Sequence, residues 1–189
     1  MRSSKSSYLR LLAVAYVSLL PLAPGAPASV SAADDPLGAA VEAARKTHDE
    51  KQLQSLKGQL EQSIVQNPND AGSYLDLARV YEYFLDVYEM RKDKKAAGEA
   101  VDKAIDVAQR SIQLNDKSAD AHSLLADLYG RKISLGNPMF AGPKFGPKVK
   151  EENAQAMALD DKNPRVWASL GRQYLMIQWR AQARHFRAG

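Results

Sequence analysis

The side chains that do most protein chemistry are few and scattered in this 189-residue chain. Its histidines, His48, His122 and His185, fall in three separate regions, and no carboxylate arrangement recurs near them to suggest a metal site or a general base. The absence of cysteine excludes disulfides, thiolate zinc sites, a cysteine nucleophile and a lipoprotein anchor. No serine stands in a nucleophile elbow. Gly142-Pro143-Lys144-Phe145-Gly146 superficially resembles a phosphate-cradling loop, but it lacks the Gly-x4-Gly-Lys-Ser/Thr order and its prolines remove amide donors. These observations predict a noncatalytic protein without cofactor or metal.

The informative residues are structural. An aromatic ring, a Leu, a small residue and a Tyr recur at one spacing in Tyr74, Leu77, Ala78, Tyr81, then His122, Leu125, Ala126, Tyr129, then Trp167, Leu170, Gly171, Tyr174. Offsets of three, four and seven place each set on one helical face. Each copy begins seven residues after a polar, turn-prone residue, Asn67, Asn115 or Asp160. The small residue lets a second helix approach closely while the rings fill the space beside it. His122 is therefore read as a packed ring.

This spacing resembles the first helix of the tetratricopeptide repeat, Trp-x2-Leu-Gly-x2-Tyr, which the third copy matches letter for letter. The second half of that signature is weaker, in Ala104, Ala108, Ser111, Ile112 and Leu114, and in Ala156, Met157 and Leu159. The copies lie 48 and 45 residues apart, against roughly 34 in the typical repeat, so the helices or connections must be longer. The resemblance implies an all-α, right-handed α-solenoid of antiparallel helix hairpins. It also implies a concave groove lined by Arg79, Glu82 and Tyr83 from the first copy, Asp127 and Arg131 from the second, and Arg165, Arg172 and Met176 from the third. That mixed charge suits a peptide or protein helix, with Arg gripping carboxylates bidentately.

Elements follow from periodicity and breakers. Asp70 to Met90 is expected as one helix and Lys94 to Leu114 as the next. Pro36 to Lys46 and Leu53 to Val65 form a leading helix pair within 33–66, giving about three and a half hairpins with the repeat domain, 67–177. Leu135 to Pro147, rich in Gly and Pro, is expected as a loop whose Met139, Phe140 and Phe145 either project for recognition or fold back to cap the array. The end, 178–189, turns abruptly basic and leaves the third copy without a following helix. Two readings stand: the tail continues the helix and docks on a partner or a second copy, or the natural chain is longer and this one is truncated after about Ile177.

Residues 1–32 read as a secretory signal peptide: Arg2, Lys5 and Arg10 precede an apolar run from Leu11 to Leu22, and Val30-Ser31-Ala32 offers cleavage before Ala33, with Ala28 as the second site. The run is shorter than the roughly 20 residues of a membrane span, and no later segment would cross a membrane. The net charge is +4, but three of the positive charges lie in the leader and three more, Arg180, Arg184 and Arg187, in the tail, so no basic stripe remains for nucleic acid. The expectation is an exported, periplasmic or secreted, noncatalytic scaffold with a protein or peptide partner. The alternative is a ligand-handling accessory of a transport system that holds a small molecule in the concave groove.

Overall fold

Seven helices follow one another through residues 36–188, the part described by a computed structural model, and no strand occurs among them. They are α1 (Pro36–Thr47), α2 (Glu50–Gln66), α3 (Ala71–Met90), α4 (Lys94–Leu114), α5 (Ala119–Leu135), α6 (Pro138–Leu159) and α7 (Pro164–Ala188). The leader assigned to residues 1–32, with its cleavage site, lies outside the described residues, as do the side chains of Pro138, Met176, Ile177 and residues 179–188.

One turn is built three times. Asn67, Asn115 and Asp160 end α2, α4 and α6 in extended or near-extended backbone, each donating its amide to the carbonyl four residues back. Three residues on, the next helix begins. The Asp70 carboxylate accepts from the Gly72 amide, the Ser118 hydroxyl from the Ala121 amide, and the Asn163 side chain from the Arg165 amide. Each satisfies an amide that the first helical turn would otherwise leave without an acceptor. The polar triplets visible in the sequence are thus joints between helices. The other joints differ: Asp93 caps α4 and Asp49 caps α2, and His48 and Lys92 before them have positive φ, 48° and 60°.

Each helix packs on its successor, and α1, α3, α5 and α7 also touch in order. Most of the core is one cluster running from Val41 on α1 to Val149 on α6. The motif faces decide which helices pair. Leu77 and Ala78 are buried where α3 meets α4, and Arg110 and Lys103 of α4 lie over the rings of Tyr74 and Tyr81 at 5.9 and 6.0 Å. Leu125, Ala126 and Tyr129 are buried where α5 meets α6, and Tyr129 stacks on Phe145 at 5.6 Å. His122 is buried between the Glu152 carboxylate, 2.6 Å from Nδ1, and the Asp116 carbonyl, 3.0 Å from Nε2.

The third copy is placed differently. Among the described residues nothing covers Trp167, Gly171 or Tyr174; Trp167 is 58% exposed, Tyr174 63%, and a side chain at Gly171 would meet no atom within 4 Å. Only Leu170 is half-buried, against a small cluster of Ala119, Ala156 and Val166. Trp167 keeps one polar anchor, donating from Nε1 to the Asp161 carbonyl at 2.7 Å. That is the position His122 reaches at Asp116. The basic end is helical through Ala188 as part of α7.

The loop expected over Leu135 to Pro147 is instead the first half of α6, and the break shrinks to Gly136 and Asn137. Proline normally forbids the helical conformation to the residue before it, through a clash with that residue's Cβ and amide. Here Gly142 precedes Pro143 and Gly146 precedes Pro147, so the Cβ part of the clash is absent. Pro138 sits at the start of the helix, where its missing N–H costs nothing, and the Asn137 side chain accepts from the Met139 amide. Met139 and Phe140 are exposed, while Phe145 packs on Tyr129.

Candidate functional groove

The inward faces of α3, α5 and α7, with the end of α1 and one face of α6, enclose a groove of about 540 Å³. α2 and α4 contribute no lining. Seven of the eight residues expected from motif position line it: Arg79, Glu82, Tyr83, Asp127, Arg131, Arg165 and Arg172. The side chain of the eighth, Met176, lies outside the described residues. They converge because positions two before and five, eight and nine after each motif ring share a helical face turned away from the motif's own packing face.

Nearly every charge in the groove is already paired, and the pairs bridge neighbouring helices. Arg79 holds Asp76 at 2.9 Å on its own helix and Asp120 of α5 at 2.7 Å, with Glu42 of α1 at 3.9 Å. Arg165 of α7 meets Glu42 and Asp120, and Asn163 donates to Asp120 at 2.7 Å. Arg131 of α5 reaches back to Asp86 and Glu89 of α3, and Arg172 of α7 grips Asp127 of α5. Burial lowers the basicity of Arg131, yet Asp86, Glu89 and Glu82 together reverse that and raise it overall.

A buried polar chain fastens α7 where apolar contact is thin. The Ser169 hydroxyl lies 2.8 Å from both Asp127 Oδ1 and Asn153 Oδ1; Asn153 donates to Gln173 at 2.8 Å, and Ser123 donates to the Arg165 carbonyl at 3.2 Å. At the other end His48, in left-handed backbone, sets Nε2 3.4 Å from Asp86 and its ring edge-on to Tyr83 at 6.3 Å. Such backbone persists only where its surroundings hold it, and Asp86 and Tyr83 do that here.

Glu82 is the exception. Among the described residues its carboxylate makes no hydrogen bond or ion pair. Burial pushes its pKa up to about 7; Asp127 and Asp86 add to that, while Arg131 and Arg172 oppose it. Tyr83, 3% exposed, is likewise raised, first by burial and then by Glu42 and Glu82. Apolar walls come from Leu124, Ile133 and Val149. Motif position alone missed Asp86, Asp120, Asn153 and Ser169. Of these the acids had a signal, since each lies 41 to 45 residues from the arginine it holds, close to the spacing of the motif copies.

Fold and groove define an all-helical protein with an interhelical cleft of paired charges; no group of three His, Asp or Glu that could hold a metal occurs among the described residues. Residues 40–183 match the family model described as regulator of microtubule dynamics protein 1-3, and the chain belongs to that family. No tetratricopeptide family matches, which corrects the assignment suggested by the Trp-Leu-Gly-Tyr spacing. The physical reason is the period: helices of 17 to 22 residues from α3 to α6 give copies 48 and 45 residues apart. The shared letters express only what any close helix pair needs, a small residue between rings. No curated protein matches the chain.

Proposed function

We propose that this protein is a noncatalytic scaffold that binds an extended segment of another protein in the groove, and that it acts outside the cytoplasm. The observation that carries the reading is the groove itself: a cleft whose arginines are held by its own acids, beside the apolar walls of Leu124, Ile133 and Val149. Charges fixed in advance lose little freedom on binding, so they orient a partner at low entropic cost. The family description names regulators of microtubule dynamics, an action on a protein polymer, which supports a protein partner. The reading includes a right-handed solenoid of antiparallel hairpins, α1–α2, α3–α4 and α5–α6 with α7 as the half hairpin. The packing of each helix on its successor supports it. Export rests on residues 1–32, and fusing them to alkaline phosphatase tests it: without phosphatase activity in the periplasm the localisation fails.

The test of binding uses Gly130, which lines the groove and has no atom within 4 Å of a built Cβ. Gly130→Trp sets an indole on the cleft wall at a position where the Cβ meets no atom within 4 Å. Peptides selected from a random phage-displayed library on the wild-type chain should lose at least ten-fold in affinity for this variant, read by fluorescence anisotropy. Equal affinity would place peptide binding elsewhere. A volume near 540 Å³ also lies in the range of small-molecule sites, which favours the second reading, a ligand-handling accessory. Selection of no peptide, together with thermal stabilisation by small organic acids, would favour that reading.

A further inference from the structure

We propose that the groove receives a basic side chain, lysine or arginine, of a bound peptide onto the carboxylate of Glu82. This rests on the peptide-binding reading above and names what that site recognises.

Most charges in the groove are already spoken for. Arg79, Arg131, Arg165 and Arg172 each hold at least one carboxylate, so an anionic ligand would have to break those pairs. The acids Asp86, Asp120 and Asp127 are held in turn. Glu82 alone among the lining acids has neither an ion pair nor a hydrogen bond among the described residues. The groups facing it are Asp86 on its own helix, Asp127 and Arg131 on α5, and Arg172 on α7, with Arg45 and His48 at the α1 end of the cleft. Asp127 and Asp86 oppose a further negative charge at Glu82, while Arg131 and Arg172 favour it. A carboxyl held near neutrality by burial gains most from a cation that enters the same low-dielectric space, because the pair then replaces lost hydration. Tyr83, whose hydroxyl has no hydrogen bond among the described residues, lines the same groove and offers a second acceptor.

Binding of the cation ionises Glu82, so affinity should rise with pH through about 7. The experiment selects a random phage-displayed heptapeptide library on the whole chain at pH 8, in parallel on wild type and Glu82→Gln. Wild type should enrich Lys or Arg at one register, and Glu82→Gln should not. A selected peptide should bind wild type at least ten-fold tighter than it binds the variant. It should lose as much when its basic residue becomes norleucine, and bind several-fold more weakly at pH 6. Peptides that lack a basic residue, or equal binding to both proteins, overturn the proposal and leave the peptide-binding reading intact. No selected peptide at all overturns both. Should Glu82→Gln fail to fold by circular dichroism, the norleucine comparison on wild type decides.

Discussion

Arg172 closes both arms of its guanidinium on the Asp127 carboxylate, with Nε 3.2 Å from Oδ1 and Nη2 on Oδ2. Each stands five positions after the ring of its own motif copy, Trp167 or His122, so the bond joins equivalent places on α7 and α5. Arg79 holds the same place on α3, but the acid it finds on α5 is Asp120, two positions before the ring. Charge alternates along one row of the groove, and each arginine takes its acid from the adjoining helix.

The two partners differ in burial, which sets the cost of removing each. The Arg172 side chain is 58% exposed and that of Asp127 12%. Arg172→Ala should cost roughly 0.5–1 kcal/mol, as exposed ion pairs do. Asp127→Ala also strips the Ser169 hydroxyl of an acceptor and should cost about 2 kcal/mol. Urea unfolding of the two variants checks the order, and a larger loss for Arg172→Ala would contradict it.

Glu82 makes stability depend on pH in an unusual direction for a carboxylate. Its pKa is raised in the folded protein from 4.5 to about 7, so the folded state binds the proton more tightly than the unfolded chain. The favourable contribution is full below pH 4.5 and lost as pH rises through about 7. Between pH 4.5 and 8 the wild type should lose about 2 kcal/mol relative to Glu82→Gln; partial exposure makes this less than the full shift implies. Parallel pH-dependent melts of both proteins measure the difference, and superimposable curves would refute it.

One motif position predicts opposite outcomes in two copies. Ala78 is fully buried at the crossing of α3 and α4, so Ala78→Leu should overpack it and cost about 1–3 kcal/mol. Gly171, at the same position on α7, opens onto free space. Gly171→Ala should stabilise by roughly 0.5–1 kcal/mol, because alanine restricts the unfolded chain and suits a helix. Thermal melts give both signs.

Pro143 and Pro147 stand exposed inside α6, where each withholds an amide from the carbonyl four residues back. Replacing either by Ala should raise stability by about 1 kcal/mol and add helical signal in circular dichroism, since alanine restores the bond. Unchanged ellipticity with a lower melting temperature would show that the proline rings supply packing instead.

The ends of α3 and α4 were legible in the sequence to within a residue. Asp70 to Met90 and Lys94 to Leu114 were expected, and α3 and α4 occupy Ala71–Met90 and Lys94–Leu114. The first half of α6 was not legible from Gly and Pro content, because the order of the two residues matters and glycine before each proline removes the obstacle. Groove residues at motif offsets were legible as a face. The partners Asp120 and Asp86 were legible only as spacings, since a sequence does not state which helix lies beside which.

Capping, periodicity and turn chemistry act between residues a few positions apart, and so the chain by itself determined where helices such as α3 and α4 begin and end, that they are amphipathic, and that one face repeats three times. Tertiary structure decided which motif copy is covered: α4 lies on α3 and α6 on α5, while among the described residues nothing lies on the outer face of α7. It also decided which charges neutralise one another, because that depends on the register between helices 41 to 45 residues apart. Only that register leaves Glu82 alone among paired neighbours, and no local rule could have singled it out.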